Sequence, residues 1–208
     1  MMFRDRNEAA ERLADRLKTY RGKHPLVLAI PRGAAPMAKI IADRLAGEFD
    51  VVLARKLRAP FDPEFAIGAV DEGGWVYLGD AAASAGADAA YIESEKQAQM
   101  DVIEKRRAAY TPLRPPRDPA GRAVIVVDDG LATGATMIAA LHGLRARRPA
   151  RLICAVPVAP PETLARVSPL ADETICLETP ADFHSVGQYY RHFPQIEDRE
   201  VIELLRDA

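Results

Sequence analysis

The 208-residue sequence predicts an α/β fold, with a mostly parallel sheet, helices on both of its faces and a small hood or lid elaboration. Three observations carry this. Unbroken apolar runs, LVLAI at 26–30 and AVIVV at 123–127, read as strands buried on both faces. Segments with apolar residues at helical spacing fall between such runs, the alternation expected of strand and crossover helix. Two of the runs break abruptly into charged residues and glycine, at IPRGA and VDDGLATGAT. Strands end this way where a parallel sheet opens a ligand crevice at its carboxyl edge.

Taken in order, Leu13, Leu17 and Tyr20 predict an amphipathic first helix capped near Asp5 or Asn7. Strands are expected at 26–30, 51–54, 75–78, 123–127, 152–156 and 173–177, and helices at 36–45, 88–110, 135–147 and 161–167. The helix at 88–110 carries a semi-apolar line at Tyr91, Ala98, Val102 and Tyr110, and its charges read as a solvated face. TPLRPPRDPAG then returns the chain as an extended, proline-stiffened connection. The span 55–74 is rich in Gly and Pro and weakly periodic. It reads either as a candidate active-site lid or as an irregular β-rich connection packed by Phe61, Phe65 and Ile67. No internal repeat is present, and the whole of 1–208 is expected to form a single domain.

Composition bounds the function classes. With 28 basic and 30 acidic residues the chain has no overall nucleic-acid footprint. No apolar run is long enough to span a bilayer, and the N-terminus combines acids and arginines without an apolar signal core. Cys154 and Cys176 fall in apolar runs and read as reduced core residues, so a cytoplasmic protein is expected. His24, His142, His184 and His192 show no metal-ligand spacing.

The chemistry concentrates at the strand ends. Asp128 and Asp129 are neighbouring carboxylates that repel and are costly to desolvate, so they call for hydration, a metal ion or hydroxyl donors such as a ribose diol. Gly130 to Thr136 is a run of small residues entering a helix, where unpaired backbone N–H groups cradle phosphate and Thr133 and Thr136 add hydroxyls. Neither the Walker pattern nor the dinucleotide fingerprint is present. Arg32 suits a bidentate phosphate contact, and Gly33 lets backbone amides approach an anion. Arg55 and Lys56 leave the second strand as a cationic pair.

The stretch VIVVDDGLATGAT, 124–136, resembles the phosphoribosyl pyrophosphate (PRPP) motif of type I phosphoribosyltransferases. The resemblance implies a Mg-dependent transferase that moves ribose 5-phosphate from PRPP to a nitrogenous base and releases pyrophosphate. Asp128 and Asp129 would hold the ribose hydroxyls, and Ala132, Thr133, Gly134, Ala135 and Thr136 the 5-phosphate. Arg32, Gly33, Arg55 and Lys56 would meet pyrophosphate. The catalytic set is then Arg32, Lys56, Asp128 and Asp129. Magnesium would bridge pyrophosphate and ribose oxygens with few or no direct protein ligands. The Pro31–Arg32 bond is expected to be cis. Gly130 and Ala132 depart from the family's commonest valine and threonine, which removes one loop hydroxyl. TPADFHSVGQYYRHF resembles the base-binding segment of hypoxanthine-guanine phosphoribosyltransferase, with Phe183 covering the base and Val186-Gly187 one residue late. The segment 179–208 is thus expected at the base pocket, and a homodimer is compatible with the family.

A reading from another class keeps the fold but not the turnover: a PRPP-sensing regulator that binds nucleic acid or a protein partner. Its support is the basic clusters RARRPAR at 145–151 and EKRR at 104–107. No base-stacking aromatics interleave them, which weighs against nucleic acid.

Overall fold

The computed structural model describes residues 2–63, 65–112 and 115–206. In chain order its elements are α1 (Arg6–Arg16), β1 (Leu26–Ala29), α2 (Ala35–Leu45), β2 (Glu48–Val51), β3 (Ala54–Arg58), β4 (Ala66–Asp71), β5 (Val76–Leu78), α3 (Ala81–Ser84) and α4 (Ala89–Tyr110). They continue with β6 (Ala123–Val127), α5 (Ala135–Ala146), β7 (Arg151–Val158), α6 (Pro161–Val167), β8 (Glu173–Glu178) and α7 (Asp198–Arg206). Asp5 caps α1, its side chain accepting from the Glu8 amide.

The main sheet runs β2-β1-β6-β7-β8, and every neighbouring pair is parallel. From β1 the chain moves outward through α2 to β2, and from β6 it moves the opposite way through α5 to β7. The winding therefore reverses between β1 and β6, and the crevice beyond their carboxyl ends is where such sheets take ligands. Alternate strand residues serve two cores. Val27, Ala29, Ile125 and Val127 pack with Leu13, Met37 and Ile41 of α1 and α2. Leu26, Leu28, Val124 and Val126 pack with Met137, Leu141 and Leu144 of α5. Burial on both faces is why the strands read as unbroken apolar runs. Each buried aliphatic stabilises by about 1.5–3 kcal/mol, so the strand ends that carry the site are fixed by the best-packed part of the molecule.

The edge strand β2 carries Asp50, only 1% exposed. Its carboxylate accepts from the Val51 amide and from the Arg117 amide of the returning segment. Arg117 and Arg122 both pair with Glu48, so the proline-stiffened connection lies along this edge.

The second sheet, β3-β4-β5, is antiparallel, and here the expected elements change. The strand expected at 51–54 is two strands in two sheets: β2 ends at Val51, and β3 begins at Ala54. Between them the Val52 amide still donates to Ala29, while the Leu53 amide has turned away to the Glu72 carboxylate. The span 55–74 contains β4, most of β3 and the turn that follows β4. Of the three residues expected to pack it, Ile67 is buried, whereas Phe65 is 44% and Phe61 93% exposed. In α4 the buried line is Gln99, Ile103 and Tyr110, and Ala98 is exposed.

Candidate functional site: a basic cleft at the sheet's switch point

A cleft of about 390 Å³ opens where the two sheets meet at the carboxyl ends of β1 and β6. Arg32 and Gly33 line it from the turn after β1, and Arg55, Lys56 and Arg58 from β3. Asp128, Asp129, Ala132, Thr133, Gly134 and Thr136 line it from the turn after β6. The sequence-predicted residues therefore converge, with two exceptions. The Ala135 side chain belongs to the core beneath α5, as expected of an inward position in a helix's first turn. Phe183 does not line the cleft; its ring stacks on Tyr189, with centroids 5.5 Å apart, and Val186 is the residue of this segment that reaches the cleft. The Pro31–Arg32 bond is cis, as the resemblance implied.

The loop after β6 is pinned from behind by α6. Thr163 Oγ1 donates to the Ala132 carbonyl at 2.7 Å, and Arg166 donates to the Thr133 carbonyl at 3.3 Å. A trans peptide sends its N–H opposite to its C=O, so the amides of Thr133 and Gly134 point away from α6. Gly134 caps α5 with φ 76°, and a Cβ there would stand 2.8 Å from Thr163 Cγ2. Only glycine accepts both the backbone conformation and the close packing. The turn thus presents its amides at the start of a twelve-residue helix, an arrangement suited to an anion.

The cations form the opposite wall. Burial lowers the pKa of Arg55, and the like charges of Arg106, Arg58 and Arg32 add to the effect. Arg55 nevertheless remains charged, since its ordinary value lies far above neutrality. Its Nε donates to Gln99 Oε1 at 3.0 Å, and Gln99 in turn donates to Glu95, so buried Gln99 on α4 aims the guanidinium. Arg32 Nη1 lies 3.6 Å from Glu197 and from Asp198, both substantially exposed. Such exposed pairs contribute about 0–1 kcal/mol, less than the roughly 1.5–3 kcal/mol of a hydrogen bond to a charged group, so they leave Arg32 available to an anionic ligand.

The two carboxylates differ in their surroundings. Burial, and then the neighbouring Asp129 charge, push the Asp128 carboxyl well above the ordinary carboxylate range. Burial also raises Asp129, but Arg6 opposes it. Arg6 Nε and Nη2 donate to Asp129 Oδ2 at 3.0 and 2.8 Å, and Nη1 donates to the Pro194 carbonyl at 2.6 Å. The guanidinium also lies 3.7 Å from the Phe193 ring centroid. The Tyr190 hydroxyl donates to the Asp129 carbonyl at 2.6 Å. The Arg6–Asp129 pair is largely buried, its side chains 9% and 16% exposed, and losing one partner of a buried pair costs up to about 3–5 kcal/mol.

Sequence reasoning missed Arg6, Tyr190 and Arg58. Arg58 was findable: it stands two residues from Lys56, and a strand running through buried Leu57 puts both cations on one face. Arg6 carried no signal, since nothing local separates it from Arg4 or Arg12.

These features define an open parallel α/β protein whose switch-point cleft is floored by two carboxylates, walled by cations and closed by an anion-binding turn. The chain belongs to the phosphoribosyl transferase domain family, which matches residues 4–193. Two Mycobacterium tuberculosis proteins, "Putative phosphoribosyl transferase Rv0571c" and its counterpart MT0597, are each 40% identical over 208 residues. That alignment covers 100% of this chain and 47% of theirs, so the chain spans about half the length of the curated relatives it matches. The crystal structure of TT1426 from Thermus thermophilus is 45% identical, with a TM-score of 0.82 over 100% of this chain and 99% of that one. A hypothetical protein from Neisseria gonorrhoeae shares the fold at 13% identity and a TM-score of 0.51, covering 100% of this chain and 98% of its own. The type I phosphoribosyltransferase resemblance and the predicted fold class are both upheld.

Proposed function

We propose that this chain transfers the ribosyl 5-phosphate group of PRPP to a ring nitrogen of a base. The carrying observation is the convergence in one cleft of Arg32, Gly33, Arg55 and Lys56, the Asp128–Asp129 pair, and Ala132, Thr133, Gly134 and Thr136. PRPP presents pyrophosphate, a cis-diol and a 5-phosphate in that order, and the three groups match the three parts of the cleft. The ribose diol donates to the carboxylates, the 5-phosphate sits on the amides of the turn, and the cations face pyrophosphate. As the C1–oxygen bond breaks, its electron pair leaves with pyrophosphate, where charge grows and the preorganised cations gain most. The ring nitrogen then bonds to C1, and its proton passes to solvent.

Two hard carboxylates in a cation-walled cleft suit magnesium, which prefers a near-octahedral set of oxygens completed by water and ligand. Asp128 and Asp129 would hold it through ribose hydroxyls and water, and the ion would neutralise charge on pyrophosphate. The base would enter beside Val186, with the segment from 179 onward forming that side of the pocket. Phe183, stacked on Tyr189 and not lining the cleft, would approach the base from that same segment. Pro63, beyond β3, lines the cleft, and a lid would close from that side.

The basic clusters that favour a nucleic-acid-binding sensor are largely paired: Arg145 with Asp172, Arg147 with Asp118, Arg151 with Glu173, and Arg107 with Glu72. Turnover is tested by incubating the protein with PRPP, magnesium and a panel of purines, pyrimidines and other ring amines. Pyrophosphate released with one acceptor and not without it supports the transfer. PRPP binding with no release across the panel favours the sensor.

A further inference from the structure

Arg6 stands on the first turn of α1, 123 positions from its partner in sequence, and is 7% exposed. It is held on every side. Two of its nitrogens donate to Asp129 Oδ2, a third donates to the Pro194 carbonyl, and the guanidinium plane lies over the Phe193 ring. Phe193 is itself backed by Tyr190, with centroids 4.8 Å apart, and Tyr190 donates to the Asp129 carbonyl. Gly33 completes the arrangement from the turn after β1: a Cβ there would stand 2.1 Å from Asp129 Oδ2 and 3.2 Å from Arg6 Nη2. The side of Asp129 turned to Arg6 forms a second cavity with Phe193, Pro194, Gln195 and Ile196, while Asp129 also lines the main cleft.

From this geometry we infer that Arg6 is a positioning residue for ribose recognition: it clamps one oxygen of Asp129 from behind and fixes which way the other is presented to the diol. The inference rests on the proposed ribose role of Asp129. A planar donor fork suits the task better than a lysine, because both contacts to Oδ2 and the one to Pro194 are made by one rigid group. The clamp also explains why Gly33 has no side chain, a requirement distinct from the approach of an anion to its amide. It further ties the ribose carboxylate to the C-terminal segment, since the Arg191 and His192 amides donate to the carbonyls of Phe3 and Arg4 beside α1.

The test uses two ligands that share the cleft but not the diol: ribose 5-phosphate and inorganic pyrophosphate, titrated by calorimetry with magnesium present. Arg6→Gln is expected to weaken ribose 5-phosphate by about 10-fold or more while leaving pyrophosphate within about 2-fold of the parent protein. Arg6→Lys, which keeps the charge but not the fork, should fall between the two. If Arg6→Gln does not fold, Arg6→Lys carries the same comparison. Unchanged ribose 5-phosphate affinity, or an equal loss for both ligands, overturns the positioning role while leaving the ribose reading intact. Failure of the parent protein to bind ribose 5-phosphate at all removes the ribose reading, and the role of Arg6 with it.

Discussion

Asp128 sits where burial and a neighbouring carboxylate both oppose its ionisation, so its folded pKa lies above its unfolded value of about 3.9. The folded state therefore binds the proton more tightly. Stability falls as pH rises from the unfolded pKa through the raised folded one, and it is recovered in acid. Asp128→Asn keeps an oxygen for the Asp129 amide and removes the charge. It is expected to raise the melting temperature at neutral pH, with the gain vanishing in acid, and to weaken PRPP by about 10- to 100-fold, the scale of a lost charge-assisted hydrogen bond. Thermal scans across pH, paired with PRPP titration, check both. A neutral-pH loss of stability would mark the carboxylate as structural. Phe183 gives a second contrast. Packed on Tyr189 and only partly buried, it should cost little stability as Phe183→Ala, well below the roughly 3–5 kcal/mol of a core phenylalanine. The substitution is expected to raise the Michaelis constant for the base far more than that for PRPP, and no change in either would remove Phe183 from the base site. The two acids were legible because an apolar run that stops at charges is a local signal. Arg6 was not, because its role exists only once residues 6, 129 and 194 meet.

At the scale of elements, α6 holds the Ala132 and Thr133 carbonyls and so turns the Thr133 and Gly134 amides away from itself. Thr163→Val removes the hydroxyl donated to Ala132 at nearly constant volume. It should weaken ribose 5-phosphate by about 5-fold, the equivalent of one hydrogen bond of about 1 kcal/mol, and leave pyrophosphate alone. Gly134→Ala asks more of the fold, since alanine must adopt φ 76° and approach Thr163 and Val167. A destabilisation of about 1–3 kcal/mol in urea titration is expected, and wild-type stability would show that the turn relaxes freely. The parallel strands β1, β6, β7 and β8 and the helices between them were readable from hydrophobic pattern alone, whereas the edge strand β2 was placed at 51–54 instead of Glu48–Val51. The antiparallel sheet was not readable, because ARKLR and AIGAVD combine charged residues, small residues and glycine, with Pro60 and Pro63 between them. They pair as consecutive antiparallel strands, a hairpin that composition disguises as an irregular loop. Strand register also hid the split at Val52–Leu53, where one continuous apolar run serves two sheets.

Over the whole molecule, the cleft exists because two sheets share it: the parallel sheet supplies the carboxylates and the anion-binding turn, and the antiparallel sheet supplies Arg55, Lys56 and Arg58. On the proposed reading Arg32 and Gly33 meet pyrophosphate from the parallel sheet, and the antiparallel sheet adds Arg55, Lys56 and Arg58 at that end. A ligand that spans both ends of the cleft should bind more tightly than either of its halves, because the second contact is made at a high effective concentration. The direct measurement is calorimetric titration, in magnesium, of PRPP, ribose 5-phosphate and pyrophosphate into the same protein. PRPP is expected to bind one per chain and at least about 10-fold more tightly than either fragment. PRPP binding no more tightly than pyrophosphate, or not binding at all, would contradict the assignment of the cleft.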